Sequence, residues 1–467
     1  MTFAHNFMNI LMSCTLTTVL LTTSAHAAGP LTVSKVNPRY FTDDTGRAIY
    51  LTGSHTWLNL QDGDGIAFDY DEYLAFLKRH NHNFFRLWAW ESSLWILPDS
   101  RKAKLAPLPY RRTGPGQALD GTLKYNLSQF DEEYFVRLRQ RVKAARDKGI
   151  YVGVTLFQGF SVARKSAKRH ATPWLGHPFH RENNMNGVDG DTNGDGEGYE
   201  THTLENPQIT KIQEAYVRKV IDTLDDLDNV IYEISNESHG GSTAWQEHLI
   251  SFIRNYESAK PLQHLIWMSF QWDGIEGPGA NITLFQSNAD IISPTRGNDK
   301  EYQLNPPAAD GSKIIISDTD HLWGIGGSAG WVWKSFLRGM HPIFMDPYKE
   351  SPHHLTDEVD PKYNALRQAM GHTQSYAGKI DLLTMKPLVK LSSTGYCLAN
   401  PGTAYLVYQP DPDQPFRVDM VKGKYRVEWF NPQTGETVTA QGINVSDGWR
   451  DFTLPFDGEA VLYLSRD

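Results

Sequence analysis

The chain has 467 residues and a formal net charge of −9, from 45 Lys and Arg against 54 Asp and Glu. That length exceeds one ordinary domain, so two are expected, and an acidic balance with no long Lys/Arg run excludes nucleic acid as a natural partner. The 13 Trp, 21 Tyr and 21 Phe pack cores or line clefts, where flat rings suit the apolar faces of sugars.

Residues 1–27 have the pattern of a signal peptide. An apolar stretch from Leu11 to Leu21 ends at Ala25-His26-Ala27, which fits the small-residue cleavage rule, although no Lys or Arg precedes it. Cys14 raises the alternative of a lipoprotein, but the apolar run continues past it. A secreted or periplasmic location is therefore expected. After cleavage only Cys397 remains, so the mature monomer has no internal disulfide and Cys397 is expected as a buried thiol. No later segment is apolar enough to span a membrane.

Eight strand candidates follow in chain order: Ala48–Thr52, Phe84–Ala89, Tyr151–Phe157, Val230–Ser235, His264–Phe270, Ala289–Pro294, Lys313–Asp318 and Pro342–Pro347. Helical patterns lie between them. Asn206-Pro207 reads as an N-cap with Pro at the first helical position, followed by an apolar face of Ile209, Ile212, Tyr216 and Val220. Trp245, Leu249, Phe252 and Tyr256 form another such face. No clear helix follows the sixth strand. Eight alternations with continuously apolar strands predict a (β/α)8 TIM barrel over residues 28–385. Two connections, Trp90 to about Gln129 and Gln158 to Asn206, are longer than a barrel needs and should lie over its C-terminal mouth. From about Lys386 the texture changes to short alternating strands, such as Ala404–Tyr408, Tyr425–Trp429 and Ala460–Leu464, which predicts a small antiparallel β-sandwich over 386–467 packed on the barrel.

The most informative segment is Val230-Ile-Tyr-Glu-Ile-Ser-Asn-Glu237, with Glu233, Ser235 and Glu237 in one strand parity and Glu237 at the strand's C-terminal end. Asn-Glu is also a common pair of helix caps. On the fourth of eight strands, however, the segment resembles the corresponding motif of clan A glycoside hydrolases, the cellulase-like barrels. The resemblance implies that Asn236 binds a sugar 2-hydroxyl and that Glu237 is the acid/base, protonating the leaving oxygen. It also implies a nucleophile on strand seven. There the clan usually has Glu, whereas Lys313-Ile-Ile-Ile-Ser-Asp-Thr-Asp-His321 offers Asp318 and Asp320 in one parity. Strand alignment favours Asp318, with Asp320 as the alternative nucleophile or a sugar-binding group; a plain turn cap would read the same way. Retention needs carboxylates about 5–5.5 Å apart and inversion about 6.5–9.5 Å, and the shorter Asp leaves the stereochemistry open. Arg86 matches the clan's arginine that keeps the nucleophile ionised. His55, Trp57, Gln158, Gln271, Trp272, His321, Trp323, Asp346 and Tyr348 fall at predicted C-terminal strand ends and are candidates for substrate binding.

Asp189-Gly-Asp-Thr-Asn-Gly-Asp-Gly-Glu-Gly-Tyr-Glu200 has the spacing of a twelve-residue calcium loop, with Asp189, Asp191, Asn193 and Glu200 at ligand positions and Gly194 at the turn. Position eight is Gly196 rather than an apolar residue, and no helix leads into the loop. A structural calcium and a plain acidic rim are both open; the chemistry itself requires no cofactor.

Gly53-Ser-His-Thr-Trp57, Tyr232–Glu237, Asp318–Gly324 and Gly339-Met-His-Pro-Ile-Phe-Met-Asp-Pro-Tyr348 are similar to the apiosidase-like branch of clan A. The tail is similar to a sandwich labelled collagen-binding that often follows such barrels. The resemblance implies a glycosidase, retaining in the clan manner, acting on plant cell-wall polysaccharide or related glycan side chains. The rival reading is an exported carbohydrate-binding or adhesion protein on a barrel that has lost catalysis, which the missing strand-seven Glu favours.

Overall fold

A computed structural model describes residues 29–467, apart from 64–65, 97–101, 163–172, 273, 350–358 and 413. The expected signal peptide and Cys14 lie outside these residues. Eight parallel strands form one barrel: Gly53–His55, Phe84–Leu87, Tyr151–Gln158, Val230–Asn236, Ile266–Ser269, Ile291–Ser293, Ile314–Asp318 and His341–Met345. From the second to the eighth, each pairs with the next in sequence, and the eighth pairs with the first. Between the first and second strands, side chains replace the ladder. Asn59 Nδ2 donates to the Arg86 carbonyl at 2.7 Å, and its Oδ1 accepts the Trp88 N–H at 2.8 Å. A Cβ on Gly53 would lie 2.1 Å from the Phe84 carbonyl oxygen, so this seam closes only around a glycine.

The first strand differs from expectation. Ala48–Ile49 belongs instead to a small antiparallel sheet with Thr32–Val33 and Phe41–Thr42. Leu31, Phe41 and Leu51 pack against Phe84, Tyr151, Ile231, Ile291 and Ile314, residues at the starts of barrel strands. The sheet therefore plugs the N-terminal end of the barrel with apolar side chains. Gly53, a weak strand former, made the true strand look like a turn.

Helices Tyr70–Arg79, Glu132–Asp147, Pro207–Leu224, Thr243–Glu257, Ala329–Leu337 and Asn364–Lys379 surround the barrel. Asn206 caps the third of these as read, its side chain accepting from the N–H groups of Gln208 and Ile209. Among the described residues the fifth and sixth connections hold only the short helices Asn281–Gln286 and Glu301–Leu304, and the four-residue length of the second is why no clear helix was legible after the sixth strand. Among the described residues no helix is long and apolar enough to cross a membrane.

Residues 386–467 form a six-stranded antiparallel sheet facing a two-stranded one, Phe416–Met420 with Gly448–Phe452. Cys397 is buried between them, and burial pushes its thiol up to about 12. The outer face of the larger sheet joins the barrel's own core. Trp333 of the helix Ala329–Leu337 lies 5.7 Å from the ring of Phe430 and 6.4 Å, stacked, from that of Tyr408. Tyr376 donates to Glu428 at 2.9 Å across the same boundary. Removing residues 386–467 would uncover Trp333, Tyr376 and their partners, so a barrel cut at 385 is expected to aggregate. Trp333→Ala should cost about 3–5 kcal/mol, the range for truncating a buried aromatic, read from urea unfolding. A truncated barrel that melts like the full chain would overturn this account of the interface.

Candidate active site

The C-terminal end of the barrel is organised around Arg86, wholly buried on the second strand. Its guanidinium lies 4.7 Å from the ring of Trp88 and 5.2 Å from that of Trp267. Its donors then fan out to four groups. Nε and Nη2 grip Glu233 at 3.0 and 2.7 Å, and Nη2 also reaches Asn236 Oδ1 at 2.6 Å. Nη1 reaches Asp318 at 2.9 Å and Asp320 at 3.2 Å. Burial works against this charge, but Glu233, Asp318 and Asp320 outweigh it and hold the guanidinium above its ordinary pKa.

Asp318 and Asp320 have different surroundings. Asp318 Oδ1 faces His55 Nε2 at 3.0 Å and accepts the Asp320 N–H at 2.9 Å, capping the turn Thr319–Leu322, while Oδ2 takes Arg86. Its side chain is 0% exposed. Burial opposes its charge, yet His55 and Arg86 hold the carboxyl well below the usual range. The Asp320 side chain is 7% exposed and lies 3.8 Å from His321. Both oxygens of Asp318, the carboxylate that strand alignment favours, are engaged within the protein, whereas Asp320 reaches solvent. Asp318, Asp320 and His321 bring ligand atoms within 4.8 Å of one another, but the Arg86 guanidinium already supplies the cation there.

On strand four, Asn236 Oδ1 accepts from Arg86 and from His321 Nε2, the latter at 3.0 Å. Burial, with Arg86 and His55 beside it, pushes His321 down to about 3, so the ring is neutral. It therefore donates from Nε2 and accepts the Ser293 hydroxyl at Nδ1, 2.7 Å away. Asn236 Nδ2 points to Gln158 Oε1 at 3.3 Å, as expected from the register that sets Gln158 opposite Asn236. Glu237 is half-buried and has φ +47°, a left-handed conformation uncommon outside glycine. The expected alternation of Glu233, Ser235 and Glu237 therefore ends at the strand terminus, where Glu233 and Asn236, of opposite parity, both meet Arg86. A Cβ on Gly159 would lie 2.1 Å from the Glu237 carbonyl oxygen, so a glycine after strand three admits this bend.

The remaining candidates divide. Trp272 and Trp323 are 41% and 39% exposed; the Trp272 N–H reaches the Ser238 carbonyl at 3.2 Å and its ring lies 6.3 Å from that of Tyr199. Trp57 is buried, edge-on to Trp95 at 6.4 Å, and forms part of an inner aromatic wall rather than a rim. Gln271 holds the loop after strand four through His239, Gly240 and Ser242. Asp346 is wholly buried with both oxygens on Arg367, and its Oδ1 also accepts the Tyr348 N–H at 2.7 Å. That arrangement ties strand eight to the helix Asn364–Lys379 and takes Asp346 away from the cleft.

Two groups escaped the sequence reading. Glu233, the bidentate partner of Arg86, also accepts from Thr155 at 2.6 Å and from Ser269; its place two turns of parity before the strand end was the available signal. Glu91 accepts from the Gln158 N–H at 2.6 Å and contacts His202 and His177 at 3.1 and 3.3 Å. Burial opposes its charge, but His202 and His177 hold it low. His202 Nδ1 also meets Ser238 at 3.1 Å, beside Glu237. These residues come from the two long connections, whose length alone hinted at them.

The fold is the (β/α)8 barrel shared with glycoside hydrolase family 5 proteins. The chain matches a solved glycoside hydrolase at TM-score 0.60 and 15% identity, over 94% of this chain and 97% of that one. It matches a glycoside hydrolase family 5 protein from Bacteroides vulgatus ATCC 8482 at TM-score 0.59 and 14% identity, over 94% of each. At such identities the likeness is one of fold. By sequence, residues 102–276 match the family described as Domain of unknown function (DUF6298), a stretch with Asn236, Glu237 and the acidic loop but neither strand-seven carboxylate. No curated protein matches the chain by sequence.

Burial also lowers His82 to about 3 and His341 to about 4. With His321, these rings are neutral when folded and take up protons near pH 6.5 when unfolded. Their stabilisation is complete above about pH 6.5 and shrinks as pH falls toward the folded values, by up to about 1.4 kcal/mol per group per unit. The urea midpoint should therefore drop between pH 7 and pH 5; a flat profile would contradict buried neutral histidines.

Proposed function

We propose that the protein is an exported glycosidase that cleaves O-glycosidic bonds, with Glu237 as acid/base and Asp320 as the second carboxylate. The observation that carries this reading is the one buried guanidinium that reaches both Asn236, next to Glu237, and Asp320 in the turn after strand seven. The guanidinium sets a positive charge 3.2 Å from Asp320, the carboxylate that attacks in this reading. In the retaining form of the reaction, Glu237 protonates the leaving oxygen while Asp320 attacks the anomeric carbon. Glu237 then takes a proton from the water that hydrolyses the glycosyl ester. Asn236, with a further N–H on Nδ2, is placed to bind the neighbouring hydroxyl. Trp272 and Trp323 offer exposed rings to sugar faces. The barrel's likeness to glycoside hydrolases supports the class. The apiosidase-like motifs support plant cell-wall glycan as substrate, and residues 1–27 support export. Asp in place of Glu on strand seven supports the rival reading, a barrel that binds glycan without cleaving it.

Aryl glycosides and pectic fragments, with the product anomer followed by NMR, give the test. Glu237→Ala should slow poor leaving groups by about 10²–10⁴-fold, largely spare activated ones, and respond to azide. Asp320→Ala should abolish turnover on all of them while the protein stays folded. Asp318→Asn should chiefly destabilise, because it strips a partner from a buried charge, an effect of about 3–5 kcal/mol. An active Asp320→Ala variant would remove Asp320 from the role, and wild-type protein that binds these glycans without releasing product would establish the rival reading.

A further inference from the structure

The loop from Asp189 to Glu200 lies between the third barrel strand and the helix Pro207–Leu224, and nothing in the glycosidase reading uses it. It is already folded around its own acidic groups. Asp191 Oδ1 accepts from the N–H groups of Gly194 at 2.8 Å and Asp195 at 3.1 Å, and Oδ2 accepts from Gly196 at 2.9 Å. Asn193 Oδ1 accepts the Asp195 N–H at 2.8 Å. Gly194 and Gly196 take φ values of +78° and +86°, which only glycine adopts freely.

Glu200 supplies a separate observation. The residue is 8% exposed. Its Oε1 accepts the Asn193 N–H at 3.3 Å, which turns the carboxylate into the loop, while Oε2 is buried with no hydrogen-bond partner. A buried carboxylate oxygen without a donor is costly. Arg181 stands 4.0 Å from Asp189, at the far end of the loop from Glu200.

We propose that this loop is a calcium site, formed by the side-chain oxygens of Asp189, Asp191 and Asn193, the carbonyl of residue 195 and the Glu200 carboxylate. All are hard oxygen donors, at positions 1, 3, 5, 7 and 12 of a twelve-residue loop, the number and spacing that suit Ca²⁺ better than Mg²⁺. The setting is not a helix–loop–helix. Among the described residues no α-helix leads in from 173 onward, and the exit is the single 3-10 turn Tyr199–His202. Trp174 takes the place of a flanking helix, packed so tightly that a Cβ on Gly198 would lie 2.3 Å from its ring. The ion would anchor the cleft wall. Tyr199 precedes Glu200, and its carbonyl accepts from His239 at 3.0 Å; His202, two residues on, reaches Glu91 and Ser238.

The test uses the full mature chain, stripped with EDTA and desalted, and reads binding rather than turnover. Calorimetry with CaCl₂ should show one site. Millimolar calcium should raise Tm by about 3 °C or more, as preferential binding to the folded state requires, and equal magnesium should raise it less. Glu200→Gln keeps the shape and the acceptor for Asn193, so it should fold normally without calcium yet lose affinity by about tenfold or more. Asp191→Ala should lose both heat and Tm shift. No heat and no Tm shift in the wild type at millimolar calcium would overturn the proposal, as would a Glu200→Gln variant that binds calcium as the wild type does.

Discussion

A guanidinium sealed from water inside a barrel must be surrounded by acceptors or it unfolds the protein around it. Arg86 meets that demand with three carboxylates and an amide drawn from strand four, strand seven and the turn that follows it. Satisfying one buried charge thereby aligns two opposite sides of the barrel. Every group that could perform chemistry here is either a ligand of Arg86 or adjacent to one. The rings of Trp88 and Trp267 exclude water from it, which strengthens each ion pair and removes freedom from each partner.

Around this centre the partners are sorted by their exposure. Glu233 and Asp318 use their oxygens on protein donors and serve as fixed counter-charges. Asp320, further along the same turn, is held by one Arg86 nitrogen and keeps contact with solvent. Neutral His321 links Ser293 on strand six to Asn236 on strand four, so the orientation of Asn236 is determined from two sides. The cleft wall depends on a separate set of contacts: Glu91, His177 and His202 bind the long connections to each other and to the residue after Glu237. The appended sandwich contributes none of these groups. Its contact lies on the helical flank, around Trp333, where it covers apolar surface and stiffens the scaffold.

Much of this was determined by the sequence alone. The eight alternations, the position of the Asn206 cap, the antiparallel tail and the placing of Arg86, Asn236 and Glu237 at strand ends follow from local period and capping chemistry, which depend on near neighbours. Tertiary structure decided what local pattern leaves open. Ala48–Ile49 is the better strand former of the two, yet Gly53–His55 lines the barrel, where Gly53 comes close to the Phe84 carbonyl. Asp318 and Asp320 share a residue type and a parity, and only the positions of His55 and Arg86, hundreds of residues away in sequence, make one a sealed counter-ion and leave the other open. Asp346 reads as a mouth residue until Arg367 claims it, and Glu91 has no meaning before His177 and His202 fold over it. Carboxylates acquire their roles from which charges and donors surround them, and that is a property of distance in space, to which separation along the chain is no guide.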